Sequence, residues 1–439
     1  METSSSNDVS TRLHRVATLA REAPNMVLTT LAHNIDMSFM REAYRYTNKG
    51  GAVGIDGQTA SEFDSCMDDN LRELLGQFKS GKYRAPAVKR VYIPKAGGEQ
   101  LRPIGIPTLK DKVLQRAVSL ILEAIYEQDF FDRSYGFRRG RSAHMALDTL
   151  WHDVMSMGGA SIIELDIRDF FGTLDHKHLR AFLDRRVRDG VIRKAIDKWL
   201  CAGVMEEGSI SRSESGTPQG GVISPILANI FLHEVLDTWF FEVVKPRLRG
   251  KATLVRFADD AVCIFESRED ARKVLEVLPK RFAKYGLSLH PEKTRLVNFY
   301  KPAGKTNVES FDFLGFTHYW GKSRQGKWIV YRKTARDRLR RSIRSLKDWC
   351  RQNRHMSLRD QHKQIALKLS GHYGYFGITG NMRSLSLLHH ETKKVWHKWL
   401  SRRSEKAAIP WDRFLKILRV YPLPKPRIVH SAWAASPTT

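Results

Sequence analysis

The sequence predicts an α+β fold followed by a basic helical region. Between about residues 88 and 319, short runs of β-branched and aromatic residues alternate with segments whose apolar residues recur at helical spacing. After about Tyr331 the helical spacing continues alone to about Arg403. The formal net charge is +27, and from Arg332 to Arg403 there are 19 Lys and Arg against four Asp and Glu, a net of +15. Such an excess favours a polyanionic partner and salt-dependent binding.

Shifts in composition divide the 439 residues into four expected regions. Residues 1–24 are polar and Ser-rich, which predicts a frayed arm with some helix. The four regions are a mostly helical N-terminal extension at 1–85 with a Gly-rich loop at 49–57, the α+β core at 86–325, a helical domain at 326–403 and a short Pro-punctuated tail at 404–439.

Two adjacent aspartates, Asp259 and Asp260, separate two apolar runs at 254–258 and 261–265. The runs alternate and are β-branched or aromatic, so they predict a β-hairpin with both acids at its tip. Like charges about 4 Å apart near a surface repel by roughly 4 kcal/mol unless a cation neutralises them. Mg²⁺ suits such oxygen ligands. For an isolated Asp-Asp pair, a solvated turn is the alternative interpretation.

A third aspartate, Asp166, ends a predicted buried strand at 160–167. If this strand lies beside the hairpin, three carboxylates can hold two cations roughly 3.5–4 Å apart, which is the arrangement for in-line displacement at phosphorus. Capping of the next helix is the alternative role for Asp166. Glu164 and Asp169 are expected to face away, because side chains alternate along a strand.

Two further segments could serve a nucleotide-binding site. The stretch from Tyr92 to Pro103 predicts a hairpin that brings Lys95 and Arg102 together, and such a pair can grip a triphosphate. The Gly-rich segment 215–221 precedes a predicted helix near Ser224, and its glycines permit close backbone approach. A solvated hairpin tip and an ordinary turn are the alternatives.

The composition also argues against several classes of protein. No run of about 18 apolar residues is present, which speaks against a membrane span. The N-terminus lacks a signal-peptide core. The four cysteines are far apart and lack zinc-ligand spacing, so reduced thiols fit better than disulfides. A cytoplasmic protein is expected.

The order of these motifs resembles the reverse transcriptases encoded by bacterial group II introns. The matching segments are Ile93 to Lys95, Arg102 to Pro107, Ser134 to Arg138, Asp166-Ile167 with Phe170-Phe171, Thr217 to Gly220, Phe257 to Asp260, Leu289 to Thr294 and Phe313 to Phe316. Their order over some 230 residues is specific, whereas no single segment is. The sequence departs from the commoner pattern at Phe257, where Tyr is usual, and at Gly172 and Arg139, where Asp and Pro are frequent.

The resemblance implies a right-hand polymerase, with fingers and an antiparallel palm sheet followed by an α-helical thumb or maturase domain. It implies that Asp166, Asp259 and Asp260 are catalytic and, with Ile167, hold two Mg²⁺ ions, for which Mn²⁺ could substitute. Phe171 corresponds to an aromatic gate that excludes a ribose 2′-hydroxyl. The implied dNTP-binding residues are Lys95, Arg102, Ile167, Phe171, Gln219 and Lys293. Lys293 could assist pyrophosphate departure, or simply be solvated.

The basic helical region corresponds to the part of the family that binds intron RNA. Its first helix has an apolar stripe from Leu339 to Cys350. The tryptophans of the whole region are most simply core residues. The candidate RNA-binding residues are Arg336, Arg340, Arg341, Arg344 and Lys347. The tail at 404–439 is either a rudimentary DNA-binding element or a packing segment. It has no cysteine, so bottom-strand cleavage by an endonuclease domain is not expected.

The expected function is therefore an RNA-directed DNA polymerase of a group II intron that also acts as a maturase. Its expected partners are intron RNA, a DNA primer or target, and dNTPs, without a membrane, and its oligomeric state is left open. A non-catalytic RNA-binding splicing factor is one alternative. A reverse transcriptase of another element (a retron, a diversity-generating or a CRISPR-linked one) is the other.

Overall fold

The computed structural model describes residues 2–94, 101–206, 209–211, 220–302, 309–403 and 408–431. The chain divides into two compact units. The first comprises Met1–Ala146 and Leu165–Leu296, and the second comprises Leu147–Glu164 and Val297–Thr439.

The helices, in chain order, are α1 (Glu2–Glu22), α2 (Met37–Arg45), α3 (Ala60–Ser65), α4 (Met67–Lys79), α5 (Leu109–Tyr126), α6 (Ala143–Ser156), α7 (Phe170–Thr173), α8 (His176–Leu183), α9 (Gly190–Leu200), α10 (Ser224–Leu232), α11 (Arg268–Ala283), α12 (Arg336–Gln352), α13 (Leu358–Phe376), α14 (Met382–Leu400) and α15 (Trp411–Val420). The strands are β1 (Val88–Pro94), β2 (Leu101–Ile106), β3 (Gly159–Leu165), β4 (Val204–Glu206), β5 (Ser209–Ser211), β6 (Ala252–Phe257), β7 (Asp260–Phe265), β8 (Arg295–Tyr300), β9 (Phe311–Phe313), β10 (Phe316–Lys322) and β11 (Trp328–Thr334).

The strands form three sheets, in the orders β2-β1-β4-β5, β6-β7-β3-β8 and β11-β10-β9. The two hairpins expected from the sequence are both present and antiparallel. In the first, Ile93 pairs with Arg102, and in the second, Phe257 pairs with Asp260. The pairing of β1 with β4 is parallel. The α+β class predicted from the alternating patterns is thus confirmed.

The first unit is built around α5, which packs against α1, α2, α4 and α10. This helix begins where the Thr108 hydroxyl accepts a hydrogen bond from the Asp111 backbone, an N-cap that satisfies one of the free amides of its first turn. The apolar residues of α5 lie on most sides of the helix and are buried, as expected for a central helix.

The helix expected within 1–24 is confirmed, but it spans Glu2–Glu22 as the single helix α1 and is not a short part of a frayed arm. Val9, Val16 and Ala20 are buried and follow one another at helical spacing. The many polar residues between them make this narrow stripe hard to recognise from composition. The stripe nevertheless packs α1 against α2 and α5.

The second unit contains the predicted helical region, which the structure confirms as α12, α13 and α14. Strand β11 continues to Thr334, so the helices begin a few residues later than the sequence pattern suggested. Trp396 is fully buried in their shared core, as expected for a core tryptophan, and packs edge to face against Phe414 of α15. Residues of the tail therefore pack onto this core.

None of the described helices is both long enough and apolar enough to cross a membrane.

Candidate active site

Asp259 lies in the two-residue turn between β6 and β7. Because Phe257 pairs with Asp260, only Ala258 and Asp259 connect the strands. Ala258 has a φ of +56°, which matches the first central position of a type II′ turn. A non-glycine residue in this conformation is strained. The prediction that both acids lie at the tip holds for Asp259, whereas the exposed Asp260 is already the first residue of β7.

A fully buried arginine fixes the carbonyl group of this turn. The Arg256 guanidinium donates through Nε to the Asp237 carboxylate at 2.8 Å. Its Nη1 donates to Asn229 Oδ1 and to the Ala258 carbonyl oxygen, both at 3.0 Å. Asp237 ends the π-helical segment His233–Asp237, and π-helical turns are often found at functional sites. The bidentate ion pair between Arg256 and Asp237 thus supports the strained turn.

The Ser134–Arg138 segment also packs against the turn. The Tyr135 amide donates to the Arg256 carbonyl oxygen at 2.8 Å, and Asn229 Nδ2 donates to the Gly136 carbonyl oxygen at 2.8 Å. A Cβ at Gly136 would lie 2.1 Å from the Ala258 nitrogen, so no other residue fits there without moving the turn. The close packing of the two backbones therefore explains why glycine occupies position 136.

Asp166 immediately follows β3, and a different loop holds it. The His290 amide donates to the Asp166 carbonyl oxygen at 2.8 Å. The neighbouring Ile167 is buried and bridges to Leu289. The loop also supplies Lys293, whose Nζ lies 3.1 Å from Asp166 Oδ2. Lys293 is therefore an ion partner of a candidate metal ligand, which the sequence did not indicate.

Two other predicted site residues, Arg102 and Asp166, affect the pKa of Asp259. Burial raises the pKa of Asp259 above its ordinary value. A hydrogen bond from its own backbone and the positive charge of Arg102 lower that pKa, whereas the negative charge of Asp166 raises it. Arg102 and Asp166 of the first unit thus both act on the charge of Asp259, despite the long stretches of chain between them.

The chemistry of these groups fits a divalent cation. A cation shared by Asp166 and Asp259 would offset both their repulsion and the burial of Asp259, and carboxylate oxygens are the ligands that Mg²⁺ prefers. Within the described part of the chain, no group of three or more His, Cys, Asp or Glu residues is close enough to hold a metal. The assignment of Asp166, Asp259 and Asp260 as metal ligands therefore stays a prediction.

The remaining predicted nucleotide-binding residues are placed as follows. Arg102 is exposed on β2. Phe170 is a buried core residue, as expected, and Phe171 is partly exposed at the start of α7 with its ring against that of Phe170. Lys95 and Gln219 lie outside the described residues.

The candidate RNA-binding residues lie on α12 in the second unit. Arg336, Arg340, Arg344 and Lys347 are exposed, and Arg341 is half-buried and donates to Asp337 at 3.2 Å. The opposite side of α12 contributes Leu346 and Cys350 to the core, so the helix is amphipathic as predicted.

Sequence reasoning missed the residues that support the turn, above all Arg256, Asp237 and Asn229. The one available signal was an arginine inside an otherwise apolar strand. Such a charge must be paired if it is buried.

We expect Asp237→Ala to destabilise the first unit by about 3–5 kcal/mol, because it leaves the buried Arg256 without a counter-ion. Chemical denaturation measures the loss. Glu269→Ala is the control, since its pairs with Arg249 and Lys273 are exposed, and we expect at most about 1 kcal/mol there. Equal effects in the two variants would contradict a special role for the buried pair.

Comparison with known protein families finds a match over the region that carries this candidate site. The family model described as reverse transcriptase (RNA-dependent DNA polymerase) matches residues 93–318, just over half of the chain. The match begins near the end of β1 and includes β2, the hairpin of Asp259 and the loop that holds Asp166.

Individual relatives point the same way. The chain is 34% identical to the group II intron-encoded protein LtrA of Lactococcus lactis subsp. cremoris, over 61% of this chain and 46% of that protein. It is 31% identical to the protein YkfC of Escherichia coli (strain K12), over 77% of this chain and 95% of YkfC. It is 26% identical to an uncharacterized 91 kDa protein in the cob intron of Schizosaccharomyces pombe, over 77% of this chain and 49% of that protein.

The chain therefore spans about half the length of the Lactococcus and Schizosaccharomyces relatives and nearly all of YkfC. The family match covers enough of the chain to define the family. The chain belongs to the reverse transcriptases, and it is similar to a group II intron-encoded protein over 61% of its length.

Proposed function

We propose that this protein is an RNA-directed DNA polymerase of a group II intron, which copies intron RNA into cDNA and binds the same RNA to assist splicing. Asp259 lies in the β6–β7 turn and Asp166 directly follows β3 of the same sheet, and this placement is the observation that carries the polymerase activity. Burial and the negative charge of Asp166 both raise the pKa of Asp259, a bound cation would offset both effects, and two-metal phosphoryl transfer gives such a pair its use.

Reverse transcriptases use divalent metal ions, and we propose two Mg²⁺ ions here, with Mn²⁺ as a substitute. Asp166, Asp259, Asp260 and Ile167 would hold them. Bound cations would supply positive charge where the primer 3′-hydroxyl loses its proton and where pyrophosphate leaves.

The chain's own residues then position the reactants. Arg102 is proposed to bind the triphosphate with Lys95 and Gln219, because its guanidinium is exposed and already acts on Asp259. Lys293 keeps a positive charge at Asp166 and is a candidate for binding the departing pyrophosphate. Arg256 acts only through the turn that carries Asp259, and is thus a positioning residue.

Phe171 is the proposed sugar gate. The buried Phe170 ring supports it at 5.2 Å between ring centroids, and α7 fixes its backbone. A rigid aromatic ring beside the incoming sugar would leave space for a deoxyribose and clash with a ribose 2′-hydroxyl. Steric exclusion of this kind requires a supported side chain, and Phe170 provides that support.

We assign the sheet β2-β1-β4-β5 to the fingers, the sheet β6-β7-β3-β8 to the palm, and α12, α13 and α14 to a thumb or maturase domain. The acids at the β6–β7 turn and after β3 support the palm assignment. The domain boundaries at 1–85, 86–325, 326–403 and 404–439 are part of the same proposal.

Binding of intron RNA is assigned to the basic face of α12. Its exposed arginines and lysine have few acidic neighbours on the helix, whereas a merely solvated helix usually mixes both signs. Structured RNA is recognised mostly by its shape and phosphates, which suits such a face. This observation also favours the second candidate function, an RNA-binding splicing factor without polymerase activity, but that function leaves the acidic pair without a purpose.

We expect Asp259→Asn to lower Mg²⁺-dependent cDNA synthesis by at least about 10²–10³-fold, because it removes one negative charge from the proposed metal site. Primer extension on an RNA template measures the loss, and filter binding should show intron RNA affinity unchanged. Asp169→Asn, at an exposed aspartate whose φ of +44° asparagine tolerates, is the matched control and should remain active. Undiminished synthesis by the Asp259 variant would remove this residue from the site.

We expect Phe171→Ala to reduce discrimination against rNTPs by about 10- to 200-fold, the range that one steric contact can provide. The measurement compares kcat/KM for each dNTP with that for its rNTP. Phe282→Leu, at a fully buried ring of α11 in the same unit, is the control, since it affects folding more directly than sugar choice. Sugar selectivity that is unchanged in the Phe171 variant would refute the gate.

Replacing Arg340, Arg341 and Arg344 by Ala should weaken RNA binding, because the proposed phosphate-binding charges are removed. The slope of log affinity against log salt should fall by about 1 for each phosphate that the protein no longer neutralises. Arg249, Arg272 and Lys273 of the first unit form a charge-matched control triple. If both triples alter the slope equally, the α12 face has no particular role in binding.

A further inference from the structure

Phe137 has two properties that a structural role does not explain. Its side chain is a large apolar group with 57% of its surface exposed. Its φ of +59° lies in the left-handed region, where a bulky non-glycine residue is an outlier. Exposure and strain both disfavour phenylalanine at this position, so the ring needs another reason to be there.

The backbone on both sides of Phe137 is fixed. On one side, Asn229 holds the Gly136 carbonyl oxygen at 2.8 Å. On the other, the buried Arg138 donates to the Phe131 and Ser134 carbonyl oxygens at 2.6 and 2.7 Å and pairs with Glu127. The strained conformation is therefore imposed by the surrounding contacts.

This rigid segment lies against the catalytic turn. A Cβ on Gly136 would meet the Ala258 nitrogen at 2.1 Å, so the two backbones are in contact there. The Phe137 Cα is about 3.8 Å further along the chain from that of Gly136. The exposed ring thus belongs to the residue that follows Gly136, the glycine that contacts the turn carrying Asp259.

The charges next to Phe137 suit nucleic acid. Arg139 is exposed, and Arg141 is partly exposed beside Asp132. An exposed aromatic ring with neighbouring guanidinium groups is the usual combination for stacking on a base while contacting its phosphates.

We propose that the Phe137 ring stacks on a base of the nucleic acid next to the catalytic turn and so positions the primer–template duplex for extension. This role rests on the proposed polymerase function. The base belongs to either the primer or the template strand, and both present the same apolar face. The contribution of the ring is to hold the duplex in register with Asp259.

The test measures equilibrium binding of a fluorescent primer–template duplex by the full chain, together with primer extension. We expect Phe137→Ala to weaken binding by about 5- to 150-fold, the fold-change that corresponds to one stacked base. Phe137→Tyr keeps the ring and should bind within about two-fold of wild type. Val277→Ala, at an exposed apolar residue on α11, is the control and should not change binding.

Phe137→Gly separates stacking from support of the fold, because glycine adopts positive φ without strain. We expect it to melt at a higher temperature than Phe137→Ala and yet to bind the duplex no better. If Phe137→Gly restores binding along with stability, or if Phe137→Ala binds like wild type, the proposal is wrong.

Duplexes with single abasic sites identify the strand. The position at which base removal weakens wild type but not Phe137→Ala marks the stacked base, in the primer or in the template. The absence of such a position would overturn the proposal. Binding is measured without turnover, so a wild-type protein that binds the duplex but extends no primer would refute the proposed polymerase function and leave the stacking result standing.

Discussion

The candidate active site depends on the buried ion pair between Arg256 and Asp237. Removing two charges from water costs several kcal/mol per ion, and only good geometry and additional hydrogen bonds offset it. Both conditions are met, because the guanidinium also donates to Asn229 and to the Ala258 carbonyl oxygen. One side chain thus joins strand β6, the π-helical segment and the turn, and the position of Asp259 follows from these contacts.

Backbone strain is concentrated at the same place. Among the described residues, four non-glycine residues have positive φ, and three of them surround the site: Phe137, Asp169 and Ala258. Strained residues persist only where the surrounding contacts hold them. The contacts of Arg256, Asn229 and Gly136 hold Ala258 and Phe137 in this way, so the region around Asp259 is stiff before any substrate is present. A stiff site suits a reaction in which positioning and charge neutralisation do most of the catalysis.

The electrostatics of the chain combine a strongly basic whole with a small acidic centre. The excess positive charge attracts nucleic acid over long distances, and its effect is screened by salt. Asp166 and Asp259 form a local region of opposite sign, with Lys293 and Arg102 as its nearby cations. The phosphates of a bound duplex would face basic surfaces, whereas divalent cations would be drawn to the carboxylates.

Much of the fold could be predicted because its signals are local. The alternating runs around Asp259, the apolar stripe of α12 and the helix start at Ser224 each depend on residues within one or two turns of one another. The structure confirms all three. The helix α1 was missed because its buried stripe is narrow and its other residues are polar.

The sequence by itself determined the charge, the kinds of elements, the acidic residues and, through the order of its motifs, the family. Only the tertiary structure decided which distant residues meet. Lys293 reaches Asp166 across 127 positions of chain, and Gly136 touches the turn at Ala258. Periodic patterns report which face of an element is buried, but they do not encode what packs against that face. Burial and contact between distant segments therefore had to be seen in the fold.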